Sequence, residues 1–194
     1  QDNDLVAATS GRGFWILDDL GALQNKRSYS RAIEIVPPKD TYRIFGGNSK
    51  AVGQGQNPRS GVTFDYYLNN NIDSLTLTLD VLENDKVIRT YTNKKDPNFK
   101  SWPGGPSKPQ VLGSKKGVNR FTWDFRRAPL PSIHKVFIFG GLAGSSVAPG
   151  KYTLRMTLGD VISETEITIL PNPKVISSSE DFIAQQKMLV SIEN

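Results

Sequence analysis

Two pairs of carboxylates are the groups in this sequence that come nearest to a catalytic arrangement. Glycoside hydrolysis needs two carboxylates about 5 to 9.5 Å apart across a cleft, and the pairs to consider are Asp18 with Asp19 and Glu164 with Glu166. Adjacent strand residues point to opposite faces, so Asp18 and Asp19 are better explained as a turn and helix cap. Glu164 and Glu166 share one face of a strand, which we expect to be its solvent-exposed face. We therefore predict no catalytic residues and no enzymatic activity for this chain.

The sequence lacks the residue types that most other active sites and metal sites require. It contains no cysteine and a single histidine, His134, so it has no thiolate metal site and no histidine cluster. His134 lies in a proline-containing loop without a nucleophile motif. The polar run at residues 69–73 is more typical of a turn than of a calcium-binding loop. We predict neither a metal ion nor another cofactor.

Aromatic residues in a long loop are the best candidates for ligand binding. Residues 94–117 are rich in proline and glycine and contain Phe99 and Trp102 on either side of Lys100. An exposed tryptophan offers a flat apolar surface with a polar edge, on which a sugar ring could stack. The alternative is that Trp102 folds back and covers a sheet edge. The candidate binding residues are therefore Trp102, Phe99 and Lys100, with a polysaccharide as the ligand.

The positive charge of the chain is concentrated in one segment. The formal net charge is +5 over 194 residues, and residues 86–127 contain eleven basic residues against two acidic ones. Such asymmetry can mark a nucleic-acid surface, but nucleic-acid readers usually place basic residues on a groove-entering helix or beside a stacking motif. We predict no nucleic-acid partner and keep a protein-docking role for this basic face as an alternative. No apolar run approaches 18 residues, so we also predict no membrane span.

Short segments of alternating apolar and polar residues dominate the chain. Residues 62–68, 75–81, 119–125 and 151–158 each place apolar side chains on one face, as a sheet with one buried face requires. Trp123 stands in the centre of one apolar row. The predicted core comprises Val62, Phe64, Tyr66, Leu68, Leu75, Leu77, Leu79, Val81, Phe121, Trp123, Phe125, Tyr152, Leu154, Met156 and Leu158.

Turn and cap signals complete the predicted architecture. Turns at Asn84-Asp85 and Gly159-Asp160 predict hairpins into strands at residues 86–92 and 161–170. Short strands are predicted at residues 32–36 and 42–45, and a short helix at residues 19–24. Serines at 177 and 178, followed three residues later by Glu180 and Asp181, predict a capping box and a C-terminal helix.

The fold class that follows is mostly β. Several antiparallel strands separated by turns predict an immunoglobulin- or fibronectin-III-like β-sandwich with an N-terminal hairpin and a short C-terminal helix. The hairpin is formed by residues 4–9 and 13–18, which flank Ser10-Gly11-Arg12. We divide the chain into a hairpin and connector at residues 1–30, the sandwich at 31–173 and the helix at 174–194.

Four segments resemble the C-terminal region of bacterial sortilin-like (BNR-repeat) β-propeller proteins, which often carry a glycosyl hydrolase label. These segments are residues 4–20 (DLVAATSGRGFWILDDL), 65–68 (DYYL), 119–126 (NRFTWDFR) and 149–154 (PGKYTL). The first resembles the closing blade segment of the propeller, and the other three resemble the immunoglobulin-like domain that follows it. The C-terminal serine-rich helix also has a counterpart there.

The resemblance implies that the chain is the C-terminal part of a secreted, periplasmic or cell-surface bacterial protein. No Asp-box motif (Ser-x-Asp-x-Gly-x-x-Trp) occurs in the sequence, so the propeller with its active site would lie upstream. The implied function is that of a non-catalytic accessory module, with the upstream propeller as its partner. A hairpin cut from its blade has an exposed edge, so a homodimer through the hairpin is the alternative.

Overall fold

Alternating side chains build two sheets that face each other and a separate hairpin. The structure is a computed structural model, and it describes residues 4–17, 19–24, 30–46 and 59–193. The elements are β1 (Leu5–Thr9), β2 (Gly13–Leu17), α1 (Gly21–Gln24), β3 (Ile33–Val36), β4 (Thr41–Tyr42), β5 (Val62–Leu68), β6 (Leu77–Glu83), β7 (Lys86–Thr92), β8 (Gly117–Trp123), β9 (Gly150–Leu158), β10 (Val161–Leu170) and α2 (Ser179–Glu193). The predicted mostly-β fold class is confirmed.

The sandwich consists of a three-stranded sheet in the order β3-β5-β8 and a five-stranded sheet in the order β4-β10-β9-β6-β7. All pairs are antiparallel except β4 with β10, where Thr41 lies opposite Ile169 in a parallel pair. The chain passes from one sheet to the other at each connection from β3 to β6, and again between β7 and β8 and between β8 and β9. Strand β7 is the last strand in the order of the larger sheet, so it forms one edge of that sheet.

Side chains from the inner faces of both sheets form one hydrophobic cluster. Phe64 and Trp123 of the smaller sheet and Leu77 and Leu154 of the larger sheet are at most 2% exposed and belong to this cluster. The rings of Trp123 and Tyr152, from opposite sheets, have centroids 5.5 Å apart in an edge-to-face arrangement. The predicted packing of these four side chains between the two sheets is confirmed.

Two predicted core positions differ from the structure. Leu75 is 54% exposed because the strand begins only at Leu77, so the expected inward position of Leu75 is wrong. Phe125 is fully buried as predicted, although β8 ends at Trp123 and Phe125 has a φ of 60°. The chain thus leaves the sheet at Trp123 while the next aromatic ring still packs inside.

Helix α2 begins at a capping box and lies against the sandwich. The backbone N–H of Ser178 donates to Asp181 Oδ2 (2.9 Å), and the N–H of Asp181 donates to Ser178 Oγ (3.2 Å). Gln186 donates through Nε2 to Glu83 Oε1 at 2.6 Å, which joins the helix to β6. In the part of the chain that the structure describes, no helix has both the length and the apolar character needed to cross a membrane.

The hairpin β1–β2 has the predicted pairing but no core of its own. Every residue of both strands is exposed, including Phe14 at 79% and Trp15 at 63%. Its tight turn includes Gly11 and Gly13, both with positive φ, which glycine adopts without strain. The predicted end of the second strand at residue 18 lies outside the described residues.

We predict that Trp123→Ala destabilises the sandwich by about 3–5 kcal/mol, because it removes a fully buried ring between the sheets. Trp123→Phe keeps much of that packing but leaves the carbonyl of Arg126 without the indole N–H that donates to it at 2.9 Å, so we expect a smaller loss. Urea unfolding measures both. Val118→Ala on the exposed side of β8 is the matched control, and an equal loss there would contradict the prediction.

Candidate functional site

A cleft of about 940 Å³ lies along the outer edge of β7. Its floor is formed by residues 89–92 of that strand, and its walls are two loops, residues 94–111 and 124–144. The loops are held against the strand at both ends: Leu112 N–H donates to Thr92 O (3.0 Å), and Ala128 N–H donates to Ile88 O (2.8 Å). The cleft is therefore built by contacts between segments that are distant in sequence.

The cleft is lined mainly by basic charge. Of the eleven basic residues in segment 86–127, five line it, whereas only Asp96 and Asp124 oppose them. The basic lining residues are Arg89, Lys94, Lys95, Lys108 and Arg126. Because the cleft collects these side chains on one surface, it favours anionic ligands through long-range attraction.

Tyr91 and Arg89 form the inner wall of the cleft. The Arg89 guanidinium lies 4.9 Å from the centre of the Tyr91 ring and donates through NH1 to Arg127 O at 3.0 Å. Burial raises the pKa of Tyr91 to about 12, and the nearby Asp124 carboxylate acts in the same direction. The Tyr91 hydroxyl therefore stays protonated over the physiological range and donates to Asp124 Oδ1 at 3.5 Å.

The outer edge of β7 is open between its two loop contacts. Asn93 N–H donates to Leu77 O, which places Tyr91 and Arg89 in hydrogen-bonded pairs with β6 and turns Ile88, Thr90 and Thr92 outward. Ile88 and Thr92 accept bonds from the loops, whereas the N–H and C=O of Thr90 have no partner among the described residues. A short stretch of unpaired strand edge therefore faces the cleft.

Proline explains why the loops leave this edge open. Five prolines line the cleft: Pro97, Pro106, Pro109, Pro129 and Pro131. A proline has no N–H to donate to a neighbouring strand, so a proline-rich segment cannot continue as a paired strand beside β7. The loops therefore contact the edge at its two ends and stand away from it in between.

The three predicted ligand-binding residues do not lie together. Phe99 is half-buried and lines the cleft, whereas Trp102 and Lys100 do not line it. The Trp102 indole N–H donates to Val136 O at 3.0 Å, and its ring meets the His134 ring edge-on with centroids 5.1 Å apart. Trp102 thus joins the two loops. It covers a neighbouring loop, not the sheet edge that we considered.

Glycine allows the loops to approach the Trp102 ring closely. A Cβ atom on Gly105 would lie 2.5 Å from Trp102 Cε2. At Gly104, where φ is +70°, it would lie 2.5 Å from Phe137 Cδ2. The backbone therefore packs directly against both rings. A larger residue at Gly104 would push the two loops apart, and one at Gly105 would displace the Trp102 ring within its own loop.

The residues considered for catalysis serve other purposes where the structure describes them. Glu164 pairs with Arg155, and Glu166 pairs with Lys151 at 2.8 Å, on the outer face of the larger sheet. His134 is exposed and contacts Trp102. Asp18 lies outside the described residues. Within the described ranges, no group of three or more His, Asp or Glu side chains could hold a metal ion.

Of the residues that line the cleft, Phe99 was predicted from the sequence as a binding residue, whereas the others were not. The concentration of charge in residues 86–127 was the available signal, but it does not tell which basic side chains meet. Comparison of the chain with protein-family models, with curated proteins and with solved structures found no match.

We predict that Trp102→Ala loosens the loop tip at residues 133–139 without unfolding the sandwich, because Trp102 contacts the loops and not the core. Amide hydrogen exchange should become about tenfold faster in that segment, while the free energy of unfolding changes by less than about 1 kcal/mol. Trp102→Phe keeps a ring but not the N–H, and should have an intermediate effect. Unchanged exchange at 133–139 would contradict this role.

We predict that the protein loses stability as the pH rises from 10.0 towards about 12, partly through Tyr91. In the unfolded chain tyrosine ionises near its ordinary pKa, whereas folded Tyr91 keeps its proton, so the folded state binds more protons in this window. The stabilisation is complete below pH 10.0. Urea unfolding across this range should show a shallower decline for Tyr91→Phe, and an unchanged slope would count against the prediction. Tyr66 and Tyr152, whose pKa values burial also raises, contribute to the decline in the same direction.

Proposed function

We propose that this chain is a non-catalytic interaction module, an immunoglobulin-like β-sandwich attached to a larger secreted or periplasmic bacterial propeller protein. The strand order supports the immunoglobulin-like part, because successive strands repeatedly lie in opposite sheets, as in Greek-key sandwiches. The exported setting and the propeller follow from the resemblance of residues 4–20 and of the three later segments.

The observation that carries the proposal is the composition of the two faces of the hairpin β1–β2. The cross-strand pairing places Leu5, Ala7, Trp15 and Leu17 on one face. The opposite face carries Val6, Ala8, Phe14 and Ile16. A hairpin with one face in water would alternate apolar and polar residues, whereas both faces here are apolar and exposed. Such a strand pair is suited to the interior of a larger β structure.

This composition favours a propeller blade over a homodimer as the partner. Stacking of two hairpins from two copies would cover one face of each and leave the other in water. Insertion into a blade would pair the free edges and place neighbouring blades against both faces. An isolated two-stranded hairpin is at best marginally stable, so docking would also stabilise the hairpin itself.

A second candidate function is recognition of a polysaccharide. Phe99 lines the basic cleft and favours this candidate. Trp102, the aromatic residue with the largest flat surface in the loop, is hydrogen-bonded and packed against His134 instead. The cleft therefore offers charge, the half-buried ring of Phe99 and the buried ring of Tyr91, which Arg89 covers, and this is a poor platform for stacking sugars.

We predict that the amides of residues 5–17 exchange rapidly in this chain alone. In the longer protein that carries the upstream propeller, their exchange rates should fall at least about tenfold, because docking buries both faces of the hairpin. Hydrogen exchange with mass spectrometry compares the two proteins. Replacement of Phe14 and Trp15 by serine, one on each face, should abolish the added protection.

Val118→Ser, at an exposed position of the sandwich, is the matched control and should leave the protection intact. Equal exchange rates at residues 5–17 in the two proteins would overturn the docking proposal. A concentration-dependent doubling of mass that the Phe14 and Trp15 substitutions abolish would favour the homodimer instead.

A further inference from the structure

We infer that the cleft beside β7 binds an extended acidic peptide segment, which adds a short strand to the open edge at Thr90. The inference builds on the proposed interaction module and names a second binding surface, separate from the hairpin, with the chemistry of its partner. It is carried by three features: an unpaired donor and acceptor on a strand edge, proline-rich walls and a basic lining.

The unpaired backbone groups identify the conformation of the ligand. The N–H and C=O of Thr90 point away from β6 and have no partner among the described residues. They lie between Ile88 and Thr92, which the loops engage and which stand about 13 Å apart on an extended strand. A donor and an acceptor from one residue, spaced for a neighbouring strand, match the backbone of an extended peptide. A sugar chain has no such repeating pair.

The walls show that the site is open to an incoming strand. The loops stand away from β7 between their contacts because their prolines lack the N–H that strand pairing needs. Pockets that hold small ligands have volumes of about 300–1,000 Å³, and the cleft beside this edge has a volume of about 940 Å³. The peptide would therefore enter without displacing an existing strand.

The charges identify the side chains of the ligand. Lys95 and Lys108 are exposed on the loop that forms one wall, and Arg126 lies in the other. A strand alternates its side chains between two faces, so every second residue of the peptide would face these cations. Acidic residues at the alternate positions that face the wall with Lys95 and Lys108 would therefore be preferred, and they would speed association by electrostatic steering.

Thr90 offers a substitution that separates edge pairing from folding. Its N–H faces away from β6, so Thr90→Pro removes an outward donor and no hydrogen bond between β6 and β7. Proline is tolerated on edge strands in this orientation. Thr90→Val is the matched control, because it loses the hydroxyl that donates to Asp80 Oδ1 but keeps the backbone N–H.

The test is fluorescence anisotropy with a short labelled peptide of alternating glutamate and valine. We expect binding at low ionic strength that weakens as salt screens the charges over about 10 Å at 0.1 M. Thr90→Pro should weaken it about tenfold, the effect of losing one hydrogen bond at the interface, whereas Thr90→Val and Phe14→Ser should bind like the parent. Joint replacement of Lys95 and Lys108 by glutamate should also weaken binding about tenfold or more, with Lys187→Glu on helix α2 as the control.

A peptide methylated on alternate backbone nitrogens tests edge pairing without altering the protein. It should bind about tenfold more weakly than the unmethylated peptide, even if Thr90→Pro fails to fold. Equal binding of the methylated peptide, or no binding of the acidic peptide at low salt, would overturn the inference. Tighter binding of an acidic oligogalacturonate would overturn it in favour of a glycan. Each of these results leaves the hairpin proposal standing, because the hairpin takes no part in the measurement.

Discussion

The packing of Trp123 between the two sheets fixes the position of the segment that follows β8. Its ring has no exposed surface and meets Tyr152 from the opposite sheet, while its N–H donates to the carbonyl of Arg126. That hydrogen bond holds the chain just after β8, where Phe125 adopts a left-handed conformation with its ring in the core. The second wall of the cleft begins at this point. The core therefore determines where that loop starts.

The cleft is formed by irregular segments that are attached to one edge of the sandwich. Its loops have no regular elements of their own, and they are held by a few long-range contacts. These include the bonds from Leu112 and Ala128 to β7 and the bond from Trp102 to Val136. Between these attachments, the prolines have no N–H with which to pair with the strand, and a cleft with a basic lining remains. The composition of the loops thus leaves the edge of β7 unpaired at Thr90.

The hairpin and the sandwich illustrate two outcomes of similar strand sequences. Strand β9 alternates buried and partly exposed residues because water covers only one of its faces. Strand β2 carries Phe14, Trp15 and Ile16 in succession, so it has no polar face to present to water. The first pattern is satisfied within this chain. The second is not satisfied among the described residues, and for that reason we propose different roles for the two parts of the chain.

Much of the fold could be predicted because its signals are local. Period-two alternation identified the strands that supply Phe64, Leu77, Trp123 and Leu154, since each strand has one face in the core. The capping box at Ser178 was equally predictable, because its two hydrogen bonds join residues three apart. The error at Leu75 arose at a strand end, where the apolar pattern extends beyond the pairing that defines the strand.

The cleft could not be predicted in the same way. The sequence determined that residues 86–127 are strongly basic and that the proline-rich part of residues 94–117 forms a loop, whereas β8 begins at Gly117. Only the tertiary structure decided that Arg89, Lys108 and Arg126 line one opening, that Trp102 faces the neighbouring loop and that the edge of Thr90 stays unpaired. The alternation of apolar and polar residues shows which side chains of a strand face the core. The meeting of two aperiodic loops depends on contacts between residues far apart in the chain, and no local spacing encodes them.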